Sequence, residues 1–371
     1  MFIVAFRRQE TYSLKEVTEK IEGIFRDAWP GFRALKPKDT VLIKPNCLSA
    51  KPPGTAVTTH PVVLEAVIQI LLDRGCRITI GDSPALQRLE TVAKKSGVLP
   101  LLDRYPVRLQ ELDDPVEIKG PEEGLFKRFE VSRHCFEFDH IINVAKFKTH
   151  SMMGLTLCVK NLFGCIPGRK KAAWHLAIGE DRSRFARMLA ELAASLPVDF
   201  HLLDGIVGME GNGPGNGTPV QLGVLLGGEN APAVDAVATR LIGMDPLALP
   251  TSRAAAEMGT GPARTEEITL TGDPFPRLPL PFRLPEPART DWGLPGIFRG
   301  LLRRFFLPYP TINSTRCKKC LDCTRVCPTG AVTGKGGRVV IRESGCIRCY
   351  CCQEVCPEDA IAFRRKRYLL R

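Results

Sequence analysis

No run in this sequence approaches the roughly 18 uninterrupted apolar residues of a membrane span. The opening MFIVAFRRQE has too short an apolar stretch before its charges to read as a secretion signal. A reducing cytoplasm is therefore expected, where thiols stay free for metal or redox chemistry instead of pairing as disulfides. Phosphate-loop and dinucleotide fingerprints are missing, although flavin sites often lack one, so a flavin is not excluded. The sequence pI of 9.1 is unaccompanied by any nucleic-acid-binding motif, which argues against a nucleic-acid partner.

What the chain does hold is unevenly placed. Its 371 residues carry a net charge of +12. Residues 313–371 hold 13 Lys/Arg against 5 Asp/Glu, whereas the first 272 hold 33 against 32. Nine of the 14 cysteines fall after residue 316, and eight of them form two matching runs. These are Cys317-x2-Cys320-x2-Cys323-x3-Cys327-Pro and Cys346-x2-Cys349-x2-Cys352-x3-Cys356-Pro, each position recurring 29 residues on. A tight Cys-x2-Cys-x2-Cys loop can wrap three corners of a [4Fe–4S] cube, and in the bacterial pattern the fourth thiolate ligates the other cluster. The expected sets are Cys317, Cys320, Cys323 and Cys356 for one cube, and Cys346, Cys349, Cys352 and Cys327 for the other. Structural zinc would not require two identical four-member runs. Cys351 reads as a spare thiol.

These runs resemble the bacterial two-cluster ferredoxins over about positions 313–371. The resemblance implies a small α+β domain, two [4Fe–4S] clusters and one-electron transfer at low potential, fed by a low-potential electron donor protein. With about −2 on each oxidised cube, the tail keeps a charge of roughly +4, suited to an acidic donor.

The first 272 residues alternate β-rich and helical runs, predicting an α/β unit with a mostly parallel sheet. Expected strands are Phe2–Phe6, Thr40–Lys44, Arg77–Gly81, His140–Ala145, Phe200–Asp204 and Gln221–Leu226. Expected helices are Leu14–Ala28, Pro61–Arg74, Arg182–Leu196 and Ala233–Ile242. Four strands run directly into Lys44-Pro45-Asn46, Gly81-Asp82-Ser83-Pro84, Lys146 to His150, and Asp204-Gly205. In open α/β sheets the carboxyl edge is where ligands bind; the plain alternative is solvated strand ends and salt bridges, with Asp82 and Asp204 pairing the lysines. Side chains alternate along an extended chain, so Lys146, Lys148 and His150 share one face and Phe147 the other. Two ammonium groups and an imidazole there suit a carboxylate or phosphate. Lys160-Asn161 adds a cation and an amide, and Thr59-His60-Pro61 opens a helix whose free N–H groups favour an anion. A glycine-rich run, Gly205 to Gly217, can approach a ligand with bare backbone or serve as a plain loop.

Taken together, Lys44-Pro45-Asn46, Thr59-His60-Pro61, Gly81-Asp82-Ser83-Pro84, Lys146 to His150, Val159 to Gly164, and Asp204-Gly205 through Asn212-Gly213-Pro214 resemble the family of domain of unknown function 362. The resemblance covers roughly residues 1–260 and implies an α/β domain, often with a ferredoxin-like tail, but no agreed activity.

Residues 273–312, with nine prolines, read as a stiff connector. Leu294 to Phe305 recur there at helical spacing opposite arginines, a pattern that docks one domain on another or, as the lesser reading, meets an anionic membrane surface. The expected function is an iron–sulfur reductase of an anionic small-molecule substrate. Lys44, Asn46, Thr59, Lys146, Lys160, Asn161, Asn212 and Gly213 would bind it; His60, His150, Lys148, Asp82 and Asp204 would handle protons. The alternative is a non-catalytic electron carrier or adaptor whose α/β unit docks a protein or senses a metabolite. Cys47, Cys76, Cys135, Cys158 and Cys165 are expected as buried thiols, and His175 and His201 as structural or solvent-facing.

Overall fold

The computed structural model describes residues 1–168, 170–179, 181–277, 279–285 and 309–364; the amphipathic segment 294–306 and the basic run after 364 lie outside them. In chain order, the elements of the larger unit are β1 (Phe2–Arg8), α1 (Leu14–Ala28), β2 (Thr40–Pro45), α2 (Pro61–Asp73), β3 (Arg77–Asp82), α3 (Leu89–Lys95), α4 (Leu99–Arg104), β4 (Val107–Glu111), β5 (Pro115–Lys119), β6 (Arg128–Ser132), β7 (His140–His150), β8 (Gly154–Thr156), α5 (Cys158–Asn161), α6 (Lys170–Ile178), α7 (Arg182–Ser195), β9 (Phe200–Glu210), β10 (Thr218–Gly228), α8 (Ala231–Leu241), α9 (Pro250–Glu257) and β11 (Ile268–Gly272). They build a nine-stranded sheet in the order β11-β1-β10-β9-β7-β2-β3-β4, with β8 pairing β7. Five of its strand pairs are parallel, and β10 is antiparallel to both β1 and β9.

The central strands are apolar without alternation because both faces are covered. One face packs Val17, Ile21, Ile24 and Phe25 of α1 and Val63, Val67 and Ile70 of α2. These positions recur every three or four residues, so each helix buries a stripe. The other face packs α5, α7 and α8 through Val159, Phe185, Leu189 and Val234. β7 and β9 run longer than the sequence suggested, to His150 and Glu210. Their polar ends remain strands because they keep pairing, β7 folding back on β8 at Lys148↔Thr156. Phe282 of the connector packs on Phe147 with ring centroids 5.5 Å apart.

The tail forms a second small unit: β12 (Tyr309–Ile312), α10 (Asp322–Val326), β13 (Val332–Lys335), β14 (Arg338–Ile341), α11 (Cys351–Glu354) and β15 (Ile361–Arg364). β12 pairs antiparallel with β15, so this unit starts four residues before the boundary expected at 313. Pro310 obscured that strand in the sequence, yet a two-stranded ribbon has only edges, where proline is tolerated. The internal repeat survives in the backbone. Lys319 and Leu321 have φ of 58° and 64°, and Arg348 and Tyr350, 29 residues later, have 49° and 63°.

Candidate functional site

The tail unit sits on the carboxyl edge of the sheet. The glycine-rich loop forms the seam: Asn212 Nδ2 donates to Asp359 Oδ1 at 3.0 Å and its Oδ1 accepts from Gln353, while Asn216 Nδ2 donates to the Cys356 carbonyl at 3.2 Å. Lys51 Nζ reaches the Pro357 carbonyl at 2.8 Å. A Cβ on Gly215 would stand 3.1 Å from the Glu354 carbonyl, so bare backbone here lets two backbones approach. Asn212, assigned above to substrate, instead holds the tail. Gly213 packs on Thr149, its N–H donating to Oγ1 at 3.1 Å.

Between the two units lies a cavity of about 790 Å³, within the range of small-molecule sites. The sheet edge contributes Asn46, Asp82, Lys148, His150, Lys160 and Asn161; the tail contributes Cys351, Glu354 and Cys356. Three further wall residues were not expected from the sequence. Lys171 and His175 come from α6, which no expected helix covered, and Glu354 is the acidic partner that only docking could reveal. The one available signal was the Lys170-Lys171 pair just before an apolar run.

The remaining expected residues lie elsewhere, and the reason is charge. Lys44 Nζ is 2.9 Å from Asp82 Oδ1, and Lys146 Nζ is 2.7 Å from Asp204 Oδ2, both pairs fully or nearly fully buried. Burial alone would push the Lys44 ammonium down, and Asp82 more than reverses it. Tyr12 donates to Asp204 at 3.1 Å and stacks on His60 at 3.5 Å. His60 caps α2, Nδ1 accepting from the Val62 N–H at 3.3 Å, and Thr59 Oγ1 donates to the Val144 carbonyl. Lys44, Thr59, His60, Lys146 and Asp204 therefore lie outside the cavity wall, each bonded to neighbours within the α/β unit. Lys146 does not join Lys148 and His150, which line the same cavity; it lies about 13 Å from His150 along the strand and turns to Asp204. Each meets its own partner.

Inside the cavity the cations are under-compensated. Lys148 Nζ donates to Asn46 Oδ1 (2.8 Å) and the Val57 carbonyl (2.6 Å), both neutral. Burial, then the charge of Lys160, lowers its pKa to about 7. Lys171 donates to the carbonyls of Ser83 and Ile166, and burial lowers it likewise to about 7. His150 Nδ1 accepts from the N–H groups of Met152 and Met153, so its proton sits on Nε2, which faces Glu354 Oε1 at 2.9 Å. Burial lowers His150 to about 4. For Glu354 burial pushes upward, but His150, Lys160 and His175 hold its carboxyl at about 2.

The cysteines fit iron–sulfur cubes. Cys317, Cys320, Cys323 and Cys356 line one small pocket. Cys327, Cys346, Cys349 and Cys352 crowd together, and burial plus this crowding drives the Cys352 thiol well up, a cost relieved when thiolates bind metal. Backbone N–H groups already point at sulfur, from Arg348 to Cys346 (3.4 Å) and from Ala360 to Cys356 (3.2 Å). Among the described residues no group closes tightly enough for a single ion, which a cube with four separate irons does not require. The five cysteines of the larger unit are buried, as expected, and so is Cys351.

Fold and cysteine geometry thus define an iron–sulfur protein built from a mostly parallel α/β unit and a ferredoxin-like module. Residues 41–240 match the family described as domain of unknown function (DUF362), and residues 309–357 match a 4Fe-4S dicluster domain. The chain belongs to this family of unknown-function domains. It is 34% identical over 312 residues to the thylakoid-associated protein sll1697 of Synechocystis sp. (strain ATCC 27184 / PCC 6803 / Kazusa), covering 82% of this chain and 95% of that protein. Among solved structures it is similar to the lactate racemase apoprotein from Thermoanaerobacterium thermosaccharolyticum (15% identity, TM-score 0.39, 62% of this chain, 54% of that one) and to a protein from Thermotoga maritima (16%, 0.36, 55%, 52%). The chain spans about half the length of both. Among the described residues no helix is long and apolar enough to cross a membrane.

Proposed function

We propose that this is a cytoplasmic redox protein whose ferredoxin-like module, loaded with two [4Fe–4S] clusters, serves the cavity in the α/β unit, where an anionic small molecule binds and is reduced. When bound, the clusters supply one-electron transfer at low potential. The observation that carries the reading is a shared wall: Cys356, a ligand in one four-cysteine set, lines the same cavity as Lys148, Lys160 and Lys171. Those ammonium groups favour an anion, and the depressed pKa of Lys148 suits it to hand over a proton near neutrality. His150, its Nε2 proton facing Glu354, is the second candidate donor.

The test is anaerobic. Dithionite-reduced protein is mixed with anionic metabolite fractions and cluster reoxidation is followed optically. A fraction that accelerates reoxidation with wild type, and not with a Lys148→Ala variant of unchanged cluster spectrum, supports the reading. Equal reoxidation in both would remove the cavity from the reaction.

A further inference from the structure

The inner cavity wall has polar atoms that nothing among the described residues satisfies. Thr156 Oγ1 and His175 Nδ1 are buried, on residues only 4% and 3% exposed, and neither has a hydrogen-bond partner among the described residues. Both residues line the cavity. Thr156 lies directly opposite Lys148 in the β7–β8 pair, so the two side chains share a face about 5 Å apart at Cβ. Lys160 follows Thr156 by four residues. Its Nζ rests over the rings of Phe163 and Phe185, at 5.1 and 5.8 Å. It has no carboxylate at ion-pair distance among the described residues; Glu354 acts on it only from farther off. Leaving a buried polar group unmade costs about 1–3 kcal/mol, and two such groups beside the Lys160 ammonium on one wall call for a common anionic acceptor.

A second position lies towards the Ser83–Gln87 loop. Lys171 spends two of its three N–H bonds on the neutral carbonyls of Ser83 and Ile166. The carboxylate nearest in charge, Asp82, is already bonded by Lys44 and by the Cys47 and Ser83 N–H groups. Lys171 and Lys148 each repel Lys160. Glu354 is a single negative charge set among these lysines and already faces His150 Nε2 at 2.9 Å, without hydrogen-bond geometry.

We propose that the cavity takes a small molecule bearing two separate anionic groups, one held by Lys160, Thr156 and His175 beside the cluster module, the other by Lys171. This inference rests on the preceding reading and sharpens its ligand from an anion to a two-ended dianion. Bridging the lysines removes their mutual repulsion, which a lone carboxylate cannot do.

The test is calorimetric binding to the full-length, cluster-loaded, oxidised protein, with acetate, inorganic phosphate, succinate and glutarate as probes. At least one dicarboxylate should bind about tenfold or more tighter than acetate and phosphate, since each charge-assisted contact contributes roughly that factor. Lys160→Met and Lys171→Met, which keep the apolar stems, should each reduce it to the acetate level, with cluster absorbance confirming that the variants fold. Thr156→Val should weaken it severalfold. Acetate or phosphate binding as tightly as both dicarboxylates, or a Lys160→Met variant equal to wild type, overturns the two-ended ligand while leaving a reductase of simple anions standing. Binding of none of the probes overturns the dianion, and only equal cluster reoxidation in the Lys148→Ala variant overturns the reductase.

Discussion

Glu354, on the first helical turn after the second cysteine loop, places Oε1 2.9 Å from Nε2 of His150 at the end of β7. This contact joins the cysteine-rich unit to the carboxyl edge of the α/β sheet. Because His150 Nδ1 is occupied by two N–H donors, the ring proton sits on Nε2, at ion-pair distance from Glu354 but outside hydrogen-bond geometry. Glu354→Gln keeps an acceptor and Glu354→Leu does not. The leucine variant should therefore loosen docking by about 1–3 kcal/mol, and the glutamine variant by less. Hydrogen exchange across 148–160 and 350–357 measures this; equal protection in all three proteins would make the contact incidental.

The buried pair of Lys146 and Asp204 predicts a stability effect and not a binding one. Asp204→Ala strands a buried ammonium, at a cost of about 3–5 kcal/mol, and should shift the denaturant midpoint accordingly. His60→Ala removes a helix cap, at a cost of about 1 kcal/mol. Neither should change anion affinity in protein that remains folded. A folded Asp204→Ala variant of normal stability without anion binding would return these residues to the site.

Several features were legible in the sequence because they are local. Strand cores such as Val41-Leu42-Ile43 are apolar on both faces, α1 shows its stripe over the same residues, Leu14–Ala28, in sequence and structure, and the cysteine spacing specifies its own chemistry. Much of the site was not local. That Lys44 and Lys146 are neutralised depends on Asp82 and Asp204, 38 and 58 residues away. Glu354 meets His150 across more than 200 residues. Pairing of lysines by Asp82 and Asp204 could be raised from the sequence as the plain alternative, but no periodicity encodes which lysines they take, and the four lysines divide into two buried in ion pairs and two cavity-facing in the fold.

Lys148 and Lys171, both lowered to about 7 by burial, set the pH dependence. Lys160, Lys146, Glu354 and Asp82 act on Lys148; Asp82, Lys44, Cys165 and Lys160 act on Lys171. Their folded pKa lies below the unfolded value of 10.5, so between pH 7 and about 10.4 the unfolded chain binds more protons and stability rises with pH. Anion affinity runs the other way, because the ammonium forms vanish as pH rises through 7. Calorimetry at pH 6 and 8.5 should show tighter binding at the lower pH. At pH 8.5, titration in buffers of different ionisation enthalpy should show proton uptake on binding. Affinity that is flat across this range would mean that neither lysine meets the ligand.

The cross-over of the fourth cysteines can be tested by paired substitutions. If Cys356 completes the set of Cys317, Cys320 and Cys323, as their shared pocket suggests, then Cys317→Ser with Cys356→Ser damages one cube and spares the other. Anaerobic reconstitution should then recover about four irons per chain, half of the eight expected for two cubes, with one electron paramagnetic resonance signal after dithionite. Cys317→Ser with Cys327→Ser strikes both sets and should lose both signals. The reverse pattern would assign each run of four cysteines to its own cube. Cys356 would then belong to the second cube, and the wall shared with Lys148 and Lys160 would lie beside that cube and not the first.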